Sequence, residues 1–85
     1  MNKTIENYLK DTLALLIERA KEAKEVSAAK RRSEPNSHSA IFEEGRALAY
    51  YEILSTIFGQ AETFGIQLKE LGITDFNPDR DLLQK

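Results

Sequence analysis

Apolar side chains recur every three or four residues near the start of the chain, which predicts an amphipathic helix over about 4–32. Thr4 is its expected N-cap. The apolar stripe narrows to Ala20, Ala23 and Val26 in a second half rich in Ala, Glu and Lys, which are strong helix formers. These small residues predict that a second helix approaches closely.

A loop over about 33–39 follows, since Pro35 disfavours helical geometry in the residue before it and Ser and Asn surround it. A second helix is predicted over about 40–71, with Ser39 as its N-cap. A short link between two long helices indicates an antiparallel hairpin.

The second helix has two apolar stripes instead of one. The first stripe contains Ala47, Tyr51, Leu54, Phe58, Ala61, Gly65 and Leu68, with Tyr50, Ile57 and Phe64 beside it. The second stripe, which Glu52 interrupts, contains Ile41, Gly45, Leu48, Ser55 and Gly59. An ordinary surface helix has one apolar stripe. The first helix therefore covers only one side of the second.

The C-terminal part carries a helix stop and a new helix start. Gly72 is expected in the left-handed conformation, with Ile73 packing back on the preceding turn. Asn77 as N-cap and Pro78 at the first helical position predict a short helix over about 78–84. Phe76, Leu82 and Leu83 are expected to hold this helix on the hairpin.

Together these elements predict one all-α domain over residues 1–85, a long antiparallel helical hairpin with a short C-terminal helix. A chain of 85 residues buries a small core, and without cysteine it has no disulfide. Two-fold association is then the expected source of further stability. We predict a homodimer with a four-helix-bundle core. The expected interface residues are Leu48, Tyr50, Tyr51, Leu54, Ile57, Phe58, Ala61 and Phe64.

Charge is nearly balanced, with a formal net charge of −2. Residues 1–40 hold eight basic and six acidic side chains, whereas residues 41–85 hold four basic and eight acidic ones. Lys30, Arg31 and Arg32 are the candidate contacts for an anionic partner. Carboxylates interleave with the basic residues before them, which favours a solvated helix end. A nucleic-acid-associated accessory protein is therefore the alternative function, and nucleic acid is not the expected partner.

Catalytic chemistry finds little support in this sequence. His38 is the only histidine, and its neighbours Ser37 and Ser39 lie on the same predicted loop, where no third group orients the base. Glu52 lacks the Glu-x-x-His pattern of bundle metal sites. We expect no catalytic, cofactor-binding or metal-binding residue, and no enzyme.

The expected function is a small non-enzymatic adaptor or regulator that acts as a homo-oligomer and contacts another protein through a helical face. The N-terminus lacks the pattern of a secretory signal, and no apolar run reaches the roughly 20 residues of a membrane span. Absent cysteine suits a reducing compartment. The expected location is the cytoplasm, without membrane contact.

Overall fold

The structure, a computed structural model, describes residues 2–83. Two long antiparallel helices, α1 (Lys3–Ser33) and α2 (His38–Thr63), form a hairpin. A 3₁₀ turn (Leu68–Leu71) and a π-helical turn (Asp79–Leu83) follow. No strand occurs in residues 2–83. The predicted all-α hairpin is confirmed.

Helix α1 begins earlier than predicted because Asn2, not Thr4, caps it. The Asn2 side chain accepts hydrogen bonds from the backbone N–H groups of Thr4 at 2.7 Å and Ile5 at 3.4 Å. These bonds satisfy two donors that have no partner within the helix. At the other end, basic residues occupy the last turn before Ser33, where positive charge is favourable.

The connection between the helices is shorter than predicted, covering only residues 34–37. Asn36 adopts a left-handed conformation with φ 65°, which asparagine tolerates better than most residues. Ser37, not Ser39, is the N-cap of α2, and its Oγ accepts from the Ala40 N–H at 3.0 Å. The tight turn at Asn36 lets the chain re-enter a helix two residues sooner.

Helix α2 ends at Thr63 instead of continuing to residue 71. It runs without interruption through Gly59, but Gly65 takes a left-handed conformation with φ 72°. The Ile66 N–H donates to the Ala61 carbonyl at 2.8 Å, and the Gly65 N–H donates to Glu62 at 3.0 Å. This pair of bonds is the Schellman motif that terminates helices. Gly65, and not Gly72 as predicted, therefore ends the helix.

The predicted turn at Gly72 also forms, but it closes a 3₁₀ turn instead of ending α2. Gly72 has φ 79°, and the Ile73 N–H donates to the Leu68 carbonyl at 3.0 Å. The Ile73 side chain is buried, as predicted. Asn77 caps the last turn by accepting from the Arg80 N–H at 3.0 Å. The predicted final helix is the turn Asp79–Leu83, and Gln84 lies outside the described residues.

The core of the hairpin is thin because small residues line α1 where it meets α2. Ala20 and Ala23 are essentially inaccessible, so the two helices pack closely. Among the described residues, Leu54 is the one large side chain with less than 2% exposure. The buried cluster consists of Leu13, Ala20, Leu54, Ala61, Leu71, Ile73 and Phe76. The first predicted stripe of α2 is therefore the one that faces α1.

Residues 67–83, the C-terminal segment, pack along one side of the hairpin. The Phe76 ring meets Phe58 of α2 edge to face, with centroids 5.9 Å apart and an angle of 82°. The Lys21 ammonium group of α1 lies 5.5 Å from the Phe76 centroid, within cation–π range. Phe76 thus ties the segment to both helices.

We expect Leu54→Ala to lower the free energy of unfolding by about 2–5 kcal/mol, because it leaves a cavity in a core without other large, fully buried side chains. Urea unfolding at one fixed protein concentration measures the change. Ile41→Ala is the matched control, since Ile41 is exposed on the same helix and its truncation should cost no more than about 0.5 kcal/mol. If both variants lowered the free energy of unfolding equally, the central position of Leu54 in the core would be contradicted.

Candidate interaction face

Polar contacts fix the C-terminal segment to the hairpin. The Tyr51 hydroxyl donates to an Asp79 carboxylate oxygen at 2.6 Å, and Lys24 Nζ donates to the Asp81 carbonyl at 2.9 Å. The bond to Asp79 raises the pKa of Tyr51, because ionised Tyr51 would lose its proton donor role beside a carboxylate. The last turn is therefore bound to α1 and to α2.

An ion-pair cluster holds the last turn together internally. Arg80 lies 2.7 Å from Asp81 and 3.3 Å from Asp75. Hydrogen bonds from the Arg80 guanidinium and then from the Asn77 backbone hold the pKa of Asp81 well below its usual range. This cluster shapes the segment that carries Phe76 and Leu82 to the core.

The C-terminal segment occupies one side of each helix. On α2 it shares crevices with Ser55, Phe58 and Glu62, which lie to one side of the line through Leu54 and Ala61. On α1 the residues beside it are Lys10, Ala14, Ile17, Glu18 and Lys21. Residues 67–83 therefore cover one of the two broad sides of the hairpin.

The opposite broad side, here the open face, is exposed and apolar. Successive helical residues are rotated by about 100°, so Ile53 lies beside Leu54 on the side away from Ser55 and Phe58. The exposed apolar side chains that helical geometry places on the open face are Ile5, Tyr8 and Leu15 of α1, Phe42 and Ile53 of α2, and Phe64 at the C-cap of α2. Half-buried Leu16, Tyr50 and Ile57 lie between these two rows, against the core.

The α2 row of the open face has regular spacing. Phe42, Ile53 and Phe64 are separated by 11 residues each, and 11 residues make just over three helical turns. The three side chains therefore lie on one nearly straight line along α2. Phe64, at the end of the line, is 75% exposed. In the single chain, the three side chains of this line are exposed to solvent.

Charge is sparse on the α2 side of the open face. Arg46 lies there, and its guanidinium donates to Glu43 at 3.0 Å. This hydrogen bond is the main reason that the pKa of Arg46 is raised, and nearby Tyr50 and Glu22 add to the effect. Between residues 47 and 64 the only carboxylates are Glu52 and Glu62, and neither lies on the line of Phe42, Ile53 and Phe64. The face is suited to burial against another apolar surface.

The predicted interface residues fall into four groups. Leu54 and Ala61 lie in the intrachain core, and Tyr51 and Phe58 contact the C-terminal segment through Asp79 and Phe76. Leu48 is exposed on the other flank of α2, beside a groove of about 710 Å³ that Leu82 and Leu83 also line. The residues that reach the open face are Tyr50, Ile57 and Phe64.

Five residues of the open face are not among the predicted interface residues, namely Ile5, Tyr8, Leu15, Phe42 and Ile53. The 11-residue spacing of Phe42, Ile53 and Phe64 in the sequence shows that these three residues share one side of α2. Whether that side stays exposed depends on where the C-terminal segment packs, and no local sequence pattern specifies that.

The candidate anion contacts are largely engaged within the chain. Lys30 Nζ lies 3.0 Å from Glu34, and Arg31 Nε lies 3.3 Å from Glu44. Both pairs are solvent-exposed, so each contributes little to stability. They nevertheless reduce the positive field at this end of α1. Lys30, Arg31 and Arg32 do not converge into a basic patch free of carboxylates.

The single histidine and the acidic side chains were the groups considered for catalysis or metal binding. His38 is exposed at the first position of α2. Within residues 2–83, no group of three or more His, Cys, Asp or Glu side chains is placed to hold a metal ion. Neither α1 nor α2, nor any shorter helix in residues 2–83, is long and apolar enough to cross a membrane.

Comparison of the chain with protein-family models, curated proteins and solved structures gave no significant match. The open face therefore has to be interpreted from its own geometry and chemistry.

The depressed pKa of Asp81 predicts an acid-sensitive C-terminal segment. Because this pKa is lower in the folded than in the unfolded chain, the Arg80 pair stabilises the fold fully above about pH 4 and loses that contribution progressively as the pH falls further. We expect Asp81→Asn to flatten the fall in stability over that range, measured as the urea midpoint against pH.

Asp11→Asn is the control for this experiment. Asp11 is exposed and forms no ion pair with the described residues, so this variant should keep the pH dependence of the parent chain. If Asp81→Asn also kept it unchanged, the pairing of Asp81 with Arg80 would not contribute to stability.

Proposed function

We propose that this protein is a non-enzymatic helical interaction module, an adaptor or regulator, that works as a homodimer. The observation that carries the proposal is the open face, which displays six exposed large apolar side chains on one side of a two-helix hairpin. In the proposed dimer two open faces meet and the four long helices form a bundle.

The thin core supports association. Small scaffolds without disulfides or metals depend on efficient packing or on oligomerisation. Here alanines fill much of the contact between α1 and α2, and Leu54 alone among the large side chains of residues 2–83 is fully buried. Burial of the open face adds apolar area to this small core, at about 25 cal/mol per Å².

The size of the molecule is also compatible with a stable dimer. Its extents are 47 × 22 × 18 Å. Either long side is larger than the roughly 800 Å² per partner that a standard interface buries. Aromatic side chains, which are enriched in the centres of interfaces, contribute Tyr8, Phe42 and Phe64 to the open face.

A second copy is the occupant that the face itself favours. On α2 its exposed apolar residues are evenly spaced about Ile53, so this row can meet its own copy across a two-fold axis. The nucleic-acid alternative has no comparable support, because Lys30 and Arg31 are paired with Glu34 and Glu44. In the proposed role as an adaptor or regulator, the dimer would bind a further protein through its outer surfaces.

Sedimentation at micromolar concentration tests the dimer. We expect a particle of twice 9.7 kDa. Ile53→Asp should weaken the dimer by more than about a hundredfold, because each dimer would bury two unpaired carboxylates at a cost of several kcal/mol. The variant should remain helical by circular dichroism, since Ile53 lies outside the intrachain core.

Leu48→Asp is the matched control for the dimer. Leu48 and Ile53 are both 49% exposed and both lie in the middle of α2, but Leu48 is on the flank away from the open face. Leu48→Asp should therefore leave the dissociation constant within a few-fold of the parent value. A folded monomer for the parent chain, or equal dissociation by both variants, would overturn the proposal.

A further inference from the structure

We infer that the two copies of α2 pack against each other in antiparallel orientation, with Ile53 of each subunit at the two-fold axis. This register rests on the homodimer proposed above and specifies which residues of the partner it buries. Its basis is the placement of Phe42, Ile53 and Phe64 on one line of the open face.

The spacing of this line is symmetric. Phe42 and Phe64 lie 11 residues to either side of Ile53. When two such lines meet head to tail, Ile53 faces Ile53 of the partner, and Phe42 faces the partner's Phe64 at both ends. Aromatic pairs of this kind contribute beyond their buried area. Each end of the bundle would thus be closed by two phenylalanine rings.

The residues between these anchors are compatible with close packing in the same register. Ala49 would face the partner's Ile57, since both are four residues from Ile53. Arg46, held by Glu43, would face the uncharged Gln60. No carboxylate or second cation of α2 would oppose Arg46.

Two hairpins that meet through these faces have one other two-fold arrangement, in which the axis runs along the helices and α1 lies over the partner's α2. The Arg31–Glu44 pair shows that residues near 30 on α1 are level with residues near 45 on α2. The arrangement with the axis along the helices would therefore bring Lys30 of one subunit close to Arg46 of the other. Each of these cations is paired with a carboxylate of its own chain, so the choice rests on the apolar line of α2, which meets its own copy only in the antiparallel arrangement.

Helix α1 carries both signs of charge at the level of the proposed axis. Lys24 and Tyr51 line the same groove, so the level of Ile53 corresponds to about residue 22 of α1. In the antiparallel dimer α1 lies over the partner's α1, so Glu22 comes level with the partner's Glu22, and Arg19 of each subunit lies within one helical turn of the partner's Glu22. Both side chains are exposed in the single chain and carry opposite charge. The two arginines offset the two carboxylates, so the register rests on the apolar line of α2.

The absence of cysteine from the sequence makes disulfide cross-linking a direct test of the register. We expect Ile53→Cys to form a covalent dimer under mild oxidation, since facing residues near a two-fold axis approach the Cβ separation that a disulfide needs. Leu48→Cys is the matched control, equally exposed on the other flank of α2. Ile53→Cys should cross-link roughly a hundredfold faster, because the dimer gives it a millimolar effective concentration.

A second pair of variants checks the ends of the bundle. Phe42→Cys and Phe64→Cys should each cross-link slowly alone, because the two copies of either residue lie at opposite ends of the dimer. Mixed together, they should form a disulfide between residues 42 and 64, identified by mass spectrometry of the linked peptides. Sedimentation under reducing conditions accompanies each variant.

The outcomes separate the register from the dimer. Rapid linkage of Ile53→Cys together with the mixed 42–64 disulfide supports both. A reduced Ile53→Cys protein that sediments as a dimer but links no faster than Leu48→Cys overturns the register and leaves the dimer standing. A parent chain that sediments as a folded monomer overturns both.

Discussion

The left-handed turn at Gly65 is the constraint on which the two sides of the hairpin depend. It ends α2 at Thr63 and reverses the chain, so residues 67–83 return along the helices instead of extending them. The returning segment is only wide enough to cover one side, where Phe76 is fixed by Phe58 and Lys21. The open face is thus a direct result of where one glycine adopts positive φ.

The close contact between α1 and α2 has a cost in buried area. Ala20 and Ala23 allow the helices to approach, but they contribute little apolar surface themselves. The C-terminal segment compensates on one side with Leu71, Ile73 and Phe76, which are all buried. On the other side Leu16, Tyr50 and Ile57 remain half-covered. A second open face laid on these residues would complete their burial, which links the thin core to the proposed assembly.

Much of the architecture was predictable because its determinants are local. Periodicity located both long helices, and Gly72 with Ile73 formed the predicted left-handed turn, although it closes a 3₁₀ turn and not α2. The predicted ends of the helices were less accurate. Asn2 and Ser37 are the N-caps instead of Thr4 and Ser39, and α2 ends at the turn of Gly65 instead of at Gly72. Cap choice and stop choice depend on small energy differences between neighbouring residues.

The candidate site was predictable only in outline. Surplus apolar surface on α2 follows from its two stripes, but the surface that stays exposed depends on where residues 67–83 pack. Leu54 and Ala61, taken as interface residues, lie in the intrachain core, whereas Ile53 belongs to the open face. Leu54 and Ile53 are adjacent in sequence, and the rotation of about 100° between them around α2 places one in the core and the other on the open face. Only the tertiary position of Phe76 and Tyr51 shows which side is occupied.

The four-residue connection at residues 34–37 bears on the order of folding. A short loop closes at low entropic cost, and contacts between neighbouring helices are local in sequence, so α1 and α2 pair early. The C-terminal segment is tethered to α2 by a few residues and therefore meets the hairpin at a far higher effective concentration than any second molecule. It occupies its side of the hairpin before encounters between chains become frequent. The division of the hairpin into an intramolecular side and an open side is thus reinforced by kinetics as well as by packing.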